Sequence, residues 1–128
     1  MKKKRIIIVG VIILAVLLTV VLAATRSLSY MMSVELRGVD PASFDNGSYT
    51  GTFEHGRFTN TLTVNIENER IVRISVDNDV FGASVMNVSD EVFSRVIEIQ
   101  DTRIDAIAGA TVTTNAYLMA IENTLGDN

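Results

Sequence analysis

A run of twenty residues without a charge, positions 6–25, constrains this chain more than any other feature. It reads IIIVGVIILAVLLTVVLAAT, and its only polar side chains are two threonines. At ~1.5 Å of rise per residue, a helix of this length reaches ~30 Å, which is the thickness of the hydrocarbon core of a bilayer. The sequence therefore predicts one N-terminal transmembrane helix.

The charges beside this run predict its orientation. Four cations, Lys2 to Arg5, precede it, whereas Arg26 and Arg37 are the only cations in residues 26–40. Positively charged flanks stay in the cytoplasm, so residues 1–5 are expected there and the remainder outside, in a single-pass protein of the cell membrane. A cleaved signal peptide is the alternative, since VLAAT ends the run with small residues. The apolar part of a signal peptide is usually shorter, ~7–15 residues, so an uncleaved anchor is favoured.

The charge balance of the remaining chain argues against a nucleic-acid partner. Seven Lys and Arg face fifteen Asp and Glu after the anchor, which leaves a net charge of −8. Proteins that bind nucleic acids need a basic surface to neutralise phosphates. The chain has no cysteine, so neither a disulfide nor a cysteine-linked lipid is available.

Residues 26–44 show no regular hydrophobic period and contain Pro41, the only proline. They are interpreted as a stalk. The domain proper is then expected at residues 45–128, which is small enough that a tightly bound ligand would contribute to its stability.

The first half of this domain has the pattern of β-strands. SYTGTF is a short strand candidate, and residues 58–66 alternate apolar with polar side chains, as does RIVRISVD after the turn ENER. An alternation of period two is typical of strands with one buried face. Three antiparallel strands joined by short turns are predicted.

The second half changes to a helical period. Apolar residues recur at spacings of three and four over residues 89–100, after a Ser89-Asp90 start, and again over residues 113–125. Two amphipathic helices are predicted. The fold class is therefore α+β, a small antiparallel β-sheet packed by helices, preceded by one transmembrane helix.

The loop that enters the last helix, DAIAGATVTT at residues 105–114, has two interpretations. Gly109 between two alanines permits a positive φ and a close approach to the backbone, and a helix N-terminus favours an anion, so the loop could hold a phosphate. Alternatively, Thr113 or Thr114 is an ordinary helix cap and Gly109 an ordinary turn. A Walker-type phosphate loop is excluded, because no lysine follows the glycine.

Residues Gly47 to Leu125 resemble the FMN-binding domain of the C subunit of sodium-pumping NADH:quinone reductases, of the G subunit of Rnf complexes, and of small membrane-anchored bacterial proteins. The resemblance rests on a G-x-Y-x-G opening (Gly47, Tyr49, Gly51), paired strands ending in ERIVRISV, a helix before Gln100, and a D-x-x-[S/T]-G-A-T motif that here begins at Asp105 and ends at Thr111.

This resemblance implies a cofactor and a maturation enzyme. In the family, a flavin transferase joins FMN to the last threonine of the motif through a phosphoester, which implies attachment at Thr111, recognition at Asp105, and close approach at Gly109 and Ala110. Ala108 stands where the family usually has Ser or Thr, so covalent and noncovalent FMN both stay open. The candidate cofactor-binding residues are Asp105, Ala108, Gly109, Ala110, Thr111, Thr113 and Thr114.

The implied function is electron transfer from a membrane donor to an extracytoplasmic acceptor, with FMN supplying the chemistry. The sequence offers no catalytic acid–base pair and no metal cluster, and His55, a lone turn histidine, is interpreted as a surface residue. Tyr49 and Tyr117 are expected in core packing rather than on the flavin ring, and the irregular stretch with Phe81, Gly82 and Met86 is a possible ring contact. Two alternatives are a cofactor-free interaction module and a flavin reductase acting on a soluble quinone or fumarate.

Overall fold

The computed structural model describes residues 1–80 and 87–126. The chain divides into two compact units, Met1–Ser33 and Val34–Asn128. Phe81, Gly82 and Met86, the possible ring contacts, lie outside the described residues.

The first unit is one helix, α1, from Lys2 to Met32. An 18-residue stretch of α1 has a mean hydropathy of 3.4, and none of it is buried against the rest of the protein. By length and composition, α1 could therefore cross a membrane. The hydroxyls of Thr19 and Thr25 donate to the carbonyls four residues earlier, at 2.9 and 2.8 Å. Both polar side chains of the predicted span are thereby satisfied within the helix, as a lipid environment requires.

The second unit contains a three-stranded antiparallel sheet in the order β1-β2-β3. The strands are β1 (Gly47–Phe53), β2 (Asn60–Glu67) and β3 (Arg70–Asp79). Alternate side chains of β2 point to the two faces, so Leu62, Val64 and Ile66 are fully buried. On the opposite face the threonine hydroxyls pair across strands, Thr50 with Thr63 and Thr52 with Thr61.

Two helices cover the apolar face of the sheet. Helix α2 spans Val88–Ile99 and packs on β3, and helix α3 spans Thr111–Gly126 and packs on β1, β2 and α2. The predicted α+β class is confirmed. Residues on almost every side of α3 are buried, which makes it the central element of this unit.

Gly51 lets α3 come very close to β1. A Cβ atom at this position would lie 2.2 Å from Thr124 Oγ1 and 2.7 Å from Thr124 Cα. Real Cβ atoms essentially never approach other atoms this closely, so the second glycine of the G-x-Y-x-G opening is needed for packing. Asn123 strengthens the same junction by donating to the carbonyl of Thr52 at 3.1 Å.

Gln100 ends α2 and joins it to β3. Its backbone is left-handed, with φ of 60°. Its side-chain amide accepts a hydrogen bond from the Ile71 N–H at 2.6 Å and donates to the Ile71 carbonyl at 2.9 Å. The side chain thus binds β3 as a neighbouring strand would.

The stretch expected to be a stalk, residues 26–44, has regular structure at its start and packs against the domain at its end. Helix α1 continues to Met32, and residues 34–44 belong to the second unit. Gly38 donates its N–H to Oε1 of the buried Glu122 at 2.9 Å, and the Val39 N–H donates to Asp101 Oδ1 at 3.2 Å. The compact unit therefore begins at Val34, eleven residues before the predicted position 45.

Candidate functional site

The loop that precedes α3 ends in a tight turn. The Ala110 N–H donates to the Ile107 carbonyl at 2.9 Å, and Gly109, the third residue of this turn, has φ of +77°. Positive φ at that position is the signature of a type II turn, which strongly favours glycine. A Cβ atom at Gly109 would meet nothing within 4 Å, so backbone conformation, rather than lack of space, requires the glycine here.

Thr114 fastens this turn to the helix. It is fully buried, and its hydroxyl donates to the Ala110 carbonyl at 2.7 Å while it accepts from the Ile107 N–H at 3.3 Å. Because α3 begins at Thr111, the expectation of a cap at Thr113 or Thr114 is wrong. The hydroxyl of Thr114 is thus fully used within the fold.

Thr111 occupies the first position of α3 and is partly exposed. Its hydroxyl has no hydrogen-bond partner within residues 1–80 and 87–126. The backbone N–H groups of Thr111, Val112 and Thr113 likewise have no acceptor in the described part of the chain. Unpaired N–H groups and the positive end of the helix dipole together favour an anion at this place. An available hydroxyl beside three free N–H groups fits an esterified phosphate.

The motif residues around the turn are open to solvent. Asp105, Ala106, Ala108 and Gly109 are exposed, and Ala110 is partly exposed. The structure therefore brings Thr111, Thr113 and the exposed side of the turn together at one helix end. Thr114 lies beneath them as a buried support.

Arg95 is a feature of this site that the sequence analysis did not identify. It lies on α2, and its Nη1 donates to the carbonyl of Asp105 at 3.4 Å, a long hydrogen bond. Its Nη2 forms an ion pair with Glu91 Oε1 at 2.5 Å. The spacing of four between Glu91 and Arg95 is readable from the sequence, but the contact with the loop is not.

The start of the loop is held by a second ion pair, between Arg103 and Asp101 at 2.6 Å. Partial burial raises the pKa of the Asp101 carboxyl, but hydrogen bonds from Arg103, Val39 and Thr102 outweigh this effect. The pKa of Asp101 therefore lies below its usual value of 3.8.

Tyr117 lies in the core, as expected, two turns after Thr111. It is 1% exposed, packs edge to face against Phe93, and donates its hydroxyl to Asp79. Burial and the hydrogen bond to the Asp79 carboxylate both raise the pKa of this phenol. Its ring is thus committed to the protein interior.

Tyr49 packs elsewhere, near the beginning of β1. Its ring meets Phe44 edge to face, and its hydroxyl donates to the Asp45 carbonyl at 2.8 Å. His55, expected at the surface, is half-buried and stacks beside Phe53 and Phe58 in the β1–β2 turn.

Shallow depressions of about 780 and 370 Å³ lie at the end of the sheet where β2 turns into β3. None of the candidate cofactor residues lines them; the larger is lined by Ala42, Phe44, Asp45, Asn46, Asn68 and Glu69. In the part of the chain that the structure describes, no group of three acidic or histidine residues could hold a metal ion.

Comparison with known proteins agrees with the chemistry that this helix end favours. Residues 55–126 match the sequence model of a family described as FMN-binding domain. The chain is also 30% identical over 105 residues to NADH:acrylate oxidoreductase of Vibrio harveyi. That alignment covers 79% of the present chain and 10% of the relative, so the chain spans about a tenth of the relative's length.

Proposed function

Since this chain belongs to the FMN-binding domain family, we propose that it is a membrane-anchored electron carrier whose FMN is esterified to Thr111. The observation that carries the proposal is the hydroxyl of Thr111, which stands at the first position of α3 without a partner among the described residues. Thr114, three positions further on, has its hydroxyl engaged twice within the fold. Of these two threonines, only Thr111 is chemically available.

The surroundings of Thr111 suit a phosphodiester. Such a linkage keeps one negative charge, and the N–H groups of Thr111, Val112 and Thr113 supply donors at the positive end of the α3 dipole. Charge-assisted hydrogen bonds of this kind are stronger than neutral ones. The turn beside these donors is uncrowded, since a Cβ atom at Gly109 would meet nothing within 4 Å.

Attachment needs an activated donor, because joining a phosphate monoester to a hydroxyl in water is unfavourable. We propose a flavin dinucleotide as this donor and a flavin transferase as the enzyme. Thr111 Oγ bonds to the phosphorus of the FMN part, the pyrophosphate bond breaks, and a nucleoside monophosphate leaves with the bonding electrons. The hydroxyl proton passes to a base of the transferase. The transferase recognises the exposed carboxylate of Asp105.

Ala108 does not prevent this reaction in the proposed arrangement. The residue is exposed, so a hydroxyl at this position would face solvent and the incoming enzyme. The Ala110 to Ile107 hydrogen bond and the two hydrogen bonds of Thr114 hold the turn without it.

The proposed location of the domain is extracytoplasmic, on the charge asymmetry around the predicted span. Lys2 to Arg5 mark the cytoplasmic side of α1. When bound, FMN supplies the redox chemistry, taking electrons from a membrane donor and passing them to an extracytoplasmic acceptor. A covalent tether keeps the cofactor from being lost by dilution outside the cell. The relative's name describes an oxidoreductase, and the matching region is about a tenth of it, which favours a relay role over reduction of a substrate by this domain itself.

Intact mass tests the proposal. The full chain, produced together with a flavin transferase and purified in detergent, should be heavier than its sequence mass by one FMN less one water, and it should be yellow. Thr111→Ala should abolish the added mass, whereas Thr113→Ala, two positions along the same helix, should retain it. A colourless wild-type chain of sequence mass, or a Thr111→Ala variant that is still flavinylated, would contradict the proposal.

A further inference from the structure

The two halves of the loop between α2 and α3 are held by hydrogen bonds, but its middle has little support of its own. Before Asp105, the Ile104 N–H donates to the Thr102 carbonyl at 2.8 Å. After it, the Ile107 N–H is bound by the buried Thr114. Asp105 itself is exposed, and its carboxylate has no partner within residues 1–80 and 87–126.

Arg95 reaches across from α2 to this unsupported point. Its guanidinium donates to the Asp105 carbonyl, and this is the hydrogen bond that Asp105 makes within the described residues. Glu91, one turn earlier on α2, binds the other nitrogen of the same guanidinium and so fixes its direction. The planar guanidinium suits this task, because its donors point in fixed directions.

The contact also matters electrostatically. The loop carries the Asp105 carboxylate, and an esterified phosphate at Thr111 would add a second negative charge to the same short segment. Arg95 places a cation at the Asp105 carbonyl, at the start of this segment. Its side chain is 41% exposed, so the Coulomb effect is screened by water, and its main influence is on geometry.

We propose that Arg95 is a positioning residue for flavin attachment, which holds the backbone at Asp105 so that the carboxylate is presented to the transferase in one orientation. This inference rests on the proposed function. It assigns Arg95 no contact with the cofactor and no part in bond formation. Glu91 supports the same geometry through Arg95.

The kinetic consequence is specific. Without Arg95, the loop around Asp105 samples several conformations, and only a fraction of the molecules offers the orientation that the transferase binds. Apparent affinity falls in proportion to that fraction, whereas the reaction of a correctly bound chain is unchanged. The KM for the acceptor chain should therefore rise and kcat should stay the same.

The experiment measures attachment to the full chain in detergent by a purified flavin transferase, with a flavin dinucleotide as donor and intact mass as the readout. Arg95→Ala should raise the KM for the chain by about fivefold or more and leave kcat within about twofold. Arg95→Lys should recover only part of the wild-type KM, since an ammonium can donate to the same carbonyl but lacks the fixed donor directions of the guanidinium. Arg103→Ala, which removes the other ion pair of this loop, is the matched control and should leave the KM unchanged.

Glu91→Gln provides a second variant that keeps Arg95 in place, and it should raise the KM by about twofold to threefold without a change in melting temperature. An unchanged KM in Arg95→Ala, a loss confined to kcat, or an equal rise in Arg103→Ala would overturn the inference. Should Arg95→Ala fail to fold, an unchanged KM in Glu91→Gln would overturn it instead. If the wild-type chain accepts no flavin at all, the proposed function is overturned and this inference with it.

Discussion

The junction of α3 with β1 at Gly51 gives the sharpest stability prediction. In Gly51→Ala the new Cβ atom would lie 2.7 Å from Thr124 Cα, whereas ordinary van der Waals contact begins at 3.4 Å. The clash with Thr124 Oγ1 could be relieved by a rotation of that side chain, but the clash with Cα could not. The helix and the strand would have to separate by roughly 0.7 Å.

Such a separation is costly because α3 is buried on almost every side. Overpacking of a core usually costs ~1–3 kcal/mol, and we expect the upper part of this range, since a whole helix has to move rather than one side chain. For a unit of under one hundred residues, ~1 kcal/mol corresponds to a shift of ~4–8 °C in melting temperature. The melting temperature of Gly51→Ala should therefore fall by roughly 10–20 °C.

Thermal and urea unfolding of the full chain in detergent, followed by near-ultraviolet circular dichroism, measure this loss. Gly47→Ala is the matched control: it makes the same change in the same strand, where the added Cβ would meet only Tyr49 Cε2, at 3.9 Å. The control should stay within ~0.5 kcal/mol of the wild type. If Gly51→Ala proves as stable as Gly47→Ala, the packing argument is refuted.

Two further predictions concern the loop between α2 and α3. Because the pKa of Asp101 is lowered in the folded state, its stabilising effect is present above the unfolded value of 3.8 and is lost as the pH falls from there through the folded value. Asp101→Asn should flatten this acid-induced decline in melting temperature, and an equally steep decline in the variant would count against the assignment. Thr114→Val leaves the Ile107 N–H without its acceptor, whereas the Ala110 carbonyl keeps its hydrogen bond from the Thr114 N–H, so the substitution should cost ~1–3 kcal/mol and speed amide exchange at Ile107. Thr114→Ser should behave like the wild type in the same exchange experiment, because the hydroxyl is retained.

The sheet could be predicted from the sequence because its pattern is local. Leu62, Val64 and Ile66 alternate with polar residues, and the structure buries these three side chains on one face. That the loop at residues 105–114 leads into the last helix could also be predicted from the sequence, since glycine and threonine before an apolar helical period mark a helix entrance, although the helix was expected from residue 113 and begins at Thr111.

The exact start of that helix could not be read in the same way. The threonines at 113 and 114 have the composition of a cap, yet Thr114 is a buried helical residue whose hydroxyl bonds back to the turn. A threonine near the start of a helix can thus be either a cap or, like Thr114, a buried helical residue. Only the three-dimensional path of residues 107–110 distinguishes them.

The packing of residues 34–44 was equally inaccessible. The Gly38 N–H meets a carboxylate that lies 84 positions later in the chain, and no periodicity records such a pairing. From the sequence, Glu122 would be expected at the surface. It is only 2% exposed, however, and its carboxylate also accepts a hydrogen bond from the Thr102 hydroxyl. The contact between Arg95 and Asp105 belongs to the same class, since it joins α2 to a loop residue ten positions later.

The two hydrogen bonds between the Gln100 side chain and the backbone of Ile71 affect how readily the sheet associates with other protein molecules. β3 is an outer strand of an open sheet, and an outer strand with unpaired N–H and carbonyl groups can recruit a strand from another molecule. The amide of Gln100 occupies both backbone groups of Ile71 that point away from β2. A single side chain thereby interrupts the row of groups on which an invading strand would have to pair, and so guards the sheet against aggregation at this edge.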